Sequence, residues 1–162
     1  MFRFGLFSLC LILLVAQAPL VQAAVGRAGS DERQANGLSA RAAWAFPATA
    51  DSPIGMVFLV LNNRGNRVRV LQAASSPVAE RIELHAAVAD LSDETMRPVE
   101  SISIDGESDR IFAPGGPHLM LFDLRRALEL GQHFPLTLRF RDGESLTLDV
   151  TVANQAPEHF RH

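Results

Sequence analysis

Two pairs of potential metal ligands stand at defined positions in the second half of this sequence. His118 and Met120 follow a Pro-Gly-Gly-Pro turn, and in a β-strand residues two apart project to the same face. His85 and Met96 lie upstream, with ten residues between them and twenty-one between Met96 and His118. Together these side chains supply two imidazole nitrogens and two thioether sulfurs. Because thioether sulfur is a soft, neutral ligand, the set predicts a Cu(I) site.

This spacing resembles the signature of the periplasmic PCu(A)C copper-chaperone family, which is His, ten residues, Met, twenty-one residues and His-x-Met. The resemblance extends over residues 38–152 and includes four flanking segments: Ala-Trp-Ala at 43–45, Leu-Asn-Asn at 61–63, Met-Arg-Pro-Val at 96–99 and Pro-Gly-Gly-Pro-His-Leu-Met-Leu at 114–121. It implies a cupredoxin-like fold and delivery of Cu(I) to the Cu-A centre of cytochrome c oxidase. The implied partners are apo cytochrome c oxidase subunit II and a Sco-type protein.

Other His and Met residues have simpler interpretations. A methionine among leucines usually fills the core, and we assign Met56, within the apolar run 56–61, to that role. His133 is expected in an exposed loop. His159 and His162 lie in a polar tail, 153–162, and could bind Cu(II), since imidazole suits that ion.

The N-terminus has the features of a secretory signal peptide. Arg3 precedes a short apolar run, and Val-Gln-Ala at 21–23 offers a cleavage site after Ala23. A membrane anchor would need about 20 apolar residues, and a lipoprotein site at Cys10 comes too early for a full apolar region. Cleavage removes the only cysteine, so the mature chain has no thiolate ligand and no disulfide.

The mature chain is mildly acidic. Loss of Arg3 leaves 14 basic residues, all of them Arg, against 18 acidic residues, a net charge of −4. Without a basic run, binding of nucleic acid is not expected.

Short apolar runs separated by turn residues predict a single all-β domain, an antiparallel Greek-key sandwich over residues 38–152, preceded by a flexible lead at 24–37. Strands are expected at 38–46, 56–61, 67–73, 80–88, 96–99, 102–104, 118–122, 134–141 and 145–152, and residues 110–112 lead into the Pro-Gly-Gly-Pro turn. The turn residues at 62–66 predict a hairpin between the second and third of these strands, and Asp-Gly at 142–143 predicts another between the last two. Helical spacing predicts one or two turns of helix at 124–130.

Several function classes remain open or are disfavoured at this point. The sequence contains no nucleophile-elbow or zinc-protease pattern, so no enzyme is predicted. A blue-copper electron carrier would need a cysteine ligand, which the mature chain lacks. Copper sequestration for tolerance is an alternative to delivery. A metal-free structural sandwich would explain the fold, but it would not explain the grouped His and Met residues.

Because residues 1–23 form a signal peptide, the exported protein should begin at or near Ala24 and be soluble. Intact-mass measurement of the exported protein checks this. A mass that retains residues 1–23, found in the membrane fraction, would contradict it.

Overall fold

The computed structural model describes residues 33–35, 37–49, 51, 53–87 and 96–160, and the fold in these ranges is all-β, as predicted. The predicted signal peptide 1–23 and His162 lie outside them. Among the described residues, no helix has the length and apolar character needed to cross a membrane. The elements are β1 (Arg33–Ala35), β2 (Leu38–Ala45), β3 (Ile54–Asn63), β4 (Arg69–Ser75), β5 (Ala79–Ala87), β6 (Met96–Val99), β7 (Ile102–Ile104), β8 (Ser108–Phe112), β9 (His118–Leu124), β10 (His133–Phe140), β11 (Ser145–Val152) and a 3-10 helix (Glu158–Phe160).

The strands form one continuous sheet in the order β6-β5-β9-β3-β2-β11-β10-β4-β7, with β1 paired to β2 and β8 paired to β3. Every described pairing is antiparallel except β2 with β11, which share two parallel residue pairs. Strands β8 and β9 both pair antiparallel with β3 and lie end to end beside it. Strand β9 pairs with residues 54–57 of β3, and β8 pairs with residues 59–63. The sheet encloses a main apolar core to which nearly all strands contribute.

Strand β3 is the centre of the sheet, and residues 57–63 are all buried. Val57, Leu59 and Leu61 face the main core. The alternate residues Phe58 and Val60 face the other side, which we call the outer face, and there they form a second buried cluster. Burial on both sides explains why the sequence of this strand is a continuous apolar run rather than an alternating one.

A β-bulge in β2 brings Trp44 to the outer face. Arg41 lies opposite Val60 and Trp44 lies opposite Phe58, so β2 uses one residue more than β3 over this stretch. Ala42, inside the bulge, has a φ of 52°. Because side chains alternate along a strand, the extra residue places Trp44 against Phe58 instead of in the main core.

The outer face of β2 and β3 is closed by the C-terminal segment. Phe160 lies in the second cluster, and its ring centroid is 6.1 Å from that of Trp44, in an edge-to-face arrangement. The segment 153–162, predicted as a polar tail, thus includes an apolar anchor. At the other end, residues 33–35 of the predicted flexible lead form β1 and pair with β2.

One of the two predicted hairpins is present. Strands β10 and β11 pair in register around Asp142 and Gly143, as expected. The hairpin predicted at 62–66 is wrong, because β4 pairs with β10 and β7 and not with β3. The residues at 62–66 instead form an arch, a connection between two strands, β3 and β4, that do not pair with each other. The side chain of Asn63 donates a hydrogen bond to the end of β7.

The predicted helix at 124–130 is also wrong. Leu128 exchanges two backbone hydrogen bonds with Ala48, of 2.8 and 3.0 Å, and its side chain is buried. Arg125 donates its backbone N–H to the carbonyl of Val78 at 2.9 Å. These backbone groups are therefore used in tertiary pairing and cannot form the bonds of a helix.

Hydrogen bonds of the buried Asn63 side chain stabilise the arch. Its amide group donates to the carbonyls of Arg67 (2.8 Å), Asp105 (2.9 Å) and Ile104 (3.2 Å). Its oxygen accepts a bond from the N–H of Gly65 at 3.1 Å. One side chain thus supplies the polar contacts that a hairpin would otherwise make.

We expect Asn63→Ala to lower the free energy of unfolding by about 1–3 kcal/mol, the usual cost of leaving buried polar groups unpaired. Asn66→Ala, at an exposed position of the same turn, should change it by less than about 0.5 kcal/mol. Chemical denaturation measures both. Equal effects of the two substitutions would show that the Asn63 contacts do not stabilise the arch.

Candidate metal centre

The pairing of β5 with β9 places two histidines side by side on the outer face. His85 and His118 are directly opposite in the register, and their ring centroids are 5.4 Å apart. His118 is only 9% exposed, and the His85 side chain is 12% exposed. Residues Leu84 and Leu119, one step along each strand, point into the main core. Because side chains alternate along a strand, His85 and His118 both point away from the main core.

His118 is oriented by the turn that precedes it. The Gly116 N–H donates to the Ala113 carbonyl at 2.9 Å, and Gly115 has a φ of 80°, which are features of a type II turn with Pro114 at its second position. Nδ1 of His118 lies 2.9 Å from the Gly116 carbonyl oxygen. Because that oxygen can only accept, Nδ1 carries the proton and Nε2 keeps its lone pair.

His85 is oriented by a carboxylate on its own strand. Its Nε2 lies 3.1 Å from a carboxylate oxygen of Glu83, while the other oxygen of Glu83 binds Arg81. Ionised carboxylates only accept, so Nε2 carries the proton and Nδ1 is left with its lone pair. Metal-binding histidines commonly have the second ring nitrogen held in this way. Glu83 was not among the predicted site residues, although its position two residues before His85 on the same strand places it on the same face.

The two predicted sulfur ligands flank the histidine pair on the same face. Met120 lies two residues beyond His118 on β9 and is half-buried. Met96, also half-buried, is opposite Ala87 in the pairing of β5 with β6. Ala87 lies two residues beyond His85, in the direction away from the position opposite Met120. Diagonal neighbours across strands are about 7–8 Å apart, within reach of long side chains. The sheet thus brings all four predicted residues to one face.

Met56 does not lie in the core, and its assignment as core filler is wrong. It is 37% exposed and stands directly opposite Met120 in the register of β3 and β9. On β3 the even-numbered residues face outward, but the continuous apolar run concealed this alternation. The outer face therefore carries all three methionines that follow residue 23.

Aromatic packing supports the histidine pair from the β3 side. The ring of Phe58 is 6.2 Å from that of His118 and 4.8 Å from that of Trp44. Trp44 is in turn covered by Phe160. One part of the outer face is thus buried under the C-terminal segment, and the His and Met residues lie beside it where the face begins to open.

The remaining histidines lie apart from this group or cannot be placed. His133 is exposed, as expected, but it begins β10 rather than lying in a loop, and its Nδ1 is 2.7 Å from an oxygen of Asp149. His159 belongs to the 3-10 helix, but its side chain lies outside the described part of the chain, as does His162.

Comparison with known sequences identifies relatives of the whole β domain. The family described as "Putative lipoprotein LpqE-like" matches residues 38–152. "Putative lipoprotein Lxx21020" of Leifsonia xyli subsp. xyli is 35% identical over 121 residues, which are 74% of this chain and 72% of that protein. "Uncharacterized protein RP573" of Rickettsia prowazekii is 30% identical over 103 residues, which are 63% of this chain and 56% of that protein.

Solved structures of the same fold include copper-binding domains. The copper-bound PCuAC domain from PmoF2 has a TM-score of 0.66 at 20% identity and covers 78% of this chain and 99% of that domain. The solution structure of the Cu(I) form of DR1885 from Deinococcus radiodurans has a TM-score of 0.58 at 23% identity and covers 70% and 78%. The predicted cupredoxin-like sandwich is confirmed.

The hydrogen bonds of the two histidines predict opposite tautomers in the metal-free protein. His118 should carry its proton on Nδ1 and His85 on Nε2, at a pH where both rings are neutral. Long-range proton–nitrogen NMR spectra distinguish the two forms directly. The same tautomer in both rings would contradict the arrangement described here.

Proposed function

This chain belongs to the LpqE-like family, and we propose that it is a periplasmic Cu(I)-binding metallochaperone. Its metal ligands in this proposal are His85, Met96, His118 and Met120. The observation that carries the proposal is the position of these four residues on one face of the sheet, with each imidazole held by an oxygen acceptor through one ring nitrogen. Proteins of the same fold include a copper-bound and a Cu(I)-bound structure, which supports copper as the bound ion.

The chemistry of the donors favours Cu(I). His118 offers Nε2 and His85 offers Nδ1, and the two methionines offer thioether sulfur. All four donors are neutral, and soft thioether ligands select Cu(I) over hard divalent cations. Thioethers do not form disulfides, so the site would survive an oxidising compartment that inactivates a thiol pair, although methionine can still be oxidised to the sulfoxide.

The position of the site suits transfer of the ion. Its residues stand on strands of a packed sheet, so the donors are pre-positioned, and such backbone moves little on binding. Both methionines are half-buried and not enclosed. Ligands of a recipient can therefore approach the copper from the outer face and replace the donors one by one.

The recipient in this proposal is the Cu-A centre of cytochrome c oxidase subunit II, with a Sco-type protein as a second partner, as the family resemblance implies. The mature protein loaded with Cu(I) should transfer copper to the apo Cu-A domain, measured by copper content after the two proteins are separated. Retention of copper by the loaded protein would instead favour sequestration. The proposal assigns binding and transfer, not catalysis.

Export and domain organisation complete the proposal. Residues 1–23 direct the chain out of the cytoplasm, 24–37 form a lead, 38–152 form the copper-binding domain and 153–162 form the tail. The lipoprotein names of the relatives support an extracytoplasmic location. We further propose that His159 and His162 in the tail bind Cu(II).

Substitution separates a binding role of the predicted ligands from a packing role. Met96→Leu and Met120→Leu conserve volume and should cost less than about 1.5 kcal/mol of apo stability. Both should nevertheless weaken Cu(I) binding, and Met120→Leu should do so by about tenfold or more, because the sulfur of Met120 has no substitute among the predicted ligands. His85→Gln and His118→Gln should weaken it as well. Competition with a Cu(I) chelator gives the affinities, and thermal unfolding of the apo proteins gives the stabilities.

Two substitutions serve as controls for this series. Ile54→Leu changes an exposed apolar side chain two residues from Met56. His133→Gln removes an exposed imidazole on β10, which pairs with none of the strands β5, β6 and β9 that carry the site. Both should leave the Cu(I) affinity unchanged. Unaltered affinity in both methionine variants would defeat the assignment of the four ligands.

A further inference from the structure

Met56 occupies an unusual position for an apolar side chain on the central strand. It is 37% exposed, whereas residues 57–63 that follow it on β3 are all buried. Exposed apolar residues are common at protein surfaces, and Ile54 on the same strand is 43% exposed, so exposure alone carries no function. What distinguishes Met56 is its neighbour, because it is directly opposite Met120.

The register defines what lies on each side of Met120. On β5 its partner is Glu83, whose two carboxylate oxygens are already engaged by Arg81 and His85. On β3 its partner is Met56, and residues directly opposite in an antiparallel pair have Cβ atoms about 4.5–5.5 Å apart. Methionine side chains are long and flexible enough for both sulfurs to reach one ion from that distance.

We propose that Met56 is an additional Cu(I) ligand, which pairs with Met120 to hold the ion on the β3 side of the two histidines. This inference rests on the proposed function, since it concerns the same cargo. Met96 lies on the edge strand β6, at the opposite end of the site. Met56 and Met96 are therefore alternative sulfur donors, and exchange between them would allow the ion to shift across the face without losing its contact with Met120.

The two alternatives can be separated by a double-mutant cycle with Met56→Leu, Met96→Leu and the double variant. If either sulfur can replace the other, the double variant should lose about tenfold more Cu(I) affinity than the product of the two single losses, within the range measured for residues that share a site. X-ray absorption should count two sulfur neighbours of copper in Met96→Leu and one in the double variant. Ile54→Leu, on the same face of the same strand, is the matched control and should behave as the wild type.

A measurement on the unsubstituted protein guards against variants that fold poorly. With methionine methyl groups labelled by carbon-13, the Met56 signal should shift when Cu(I) is added to the apo protein, as should the Met120 signal. An unshifted Met56 methyl, or multiplicative single effects with one sulfur neighbour in Met96→Leu, would overturn the role of Met56 while leaving the four-ligand site intact. A wild-type protein that takes up no Cu(I) would overturn the proposed function itself.

Discussion

The pairing of β5 with β9 is the constraint on which the site depends. It sets His85 against His118 and, in the same register, brings Met120 beside Glu83. Because side chains alternate with a period of two, a slip of one residue would turn His85 into the core and Leu84 outward. The apolar residues on the inner face of both strands oppose such a slip. Burial of leucines on one side of the sheet thereby positions the proposed metal donors on the other.

The outer face is divided between a packed aromatic part and the proposed metal site. Trp44, Phe58 and Phe160 bury one part of it, and the histidines and methionines occupy the part beside them. The β-bulge in β2 is needed for this division, since without it Trp44 would enter the main core. Phe58 of the aromatic cluster lies beside the His118 ring on one side. The turn at 114–116 supplies the carbonyl that accepts a hydrogen bond from the ring and orients it.

The neutral donor set also explains a feature of the composition. Beyond residue 23 the chain has no cysteine and only three methionines, yet all three methionines lie on one face of one sheet. A thiolate site would add a charge attraction for copper, which strengthens retention, whereas thioether and imidazole donors rely on ligand softness alone. Such a site is suited to an ion that must later be released.

Much of this arrangement was determined by the sequence itself. Short apolar runs separated by turn residues were sufficient to predict the all-β class, and strand alternation was sufficient to predict the common face of His118 and Met120. These inferences are local, because alternation within one strand needs no knowledge of its neighbours. Only the tertiary structure decided which strands pair. It replaced the hairpin at 62–66 by an arch, used the backbone of 125–128 for pairing instead of a helix, and moved Met56 from the presumed core to a position opposite Met120. In each case the deciding contact joins residues far apart in the chain. For Met56 there is a second reason, because a central strand buried on both sides shows no periodicity from which its outward face could be identified.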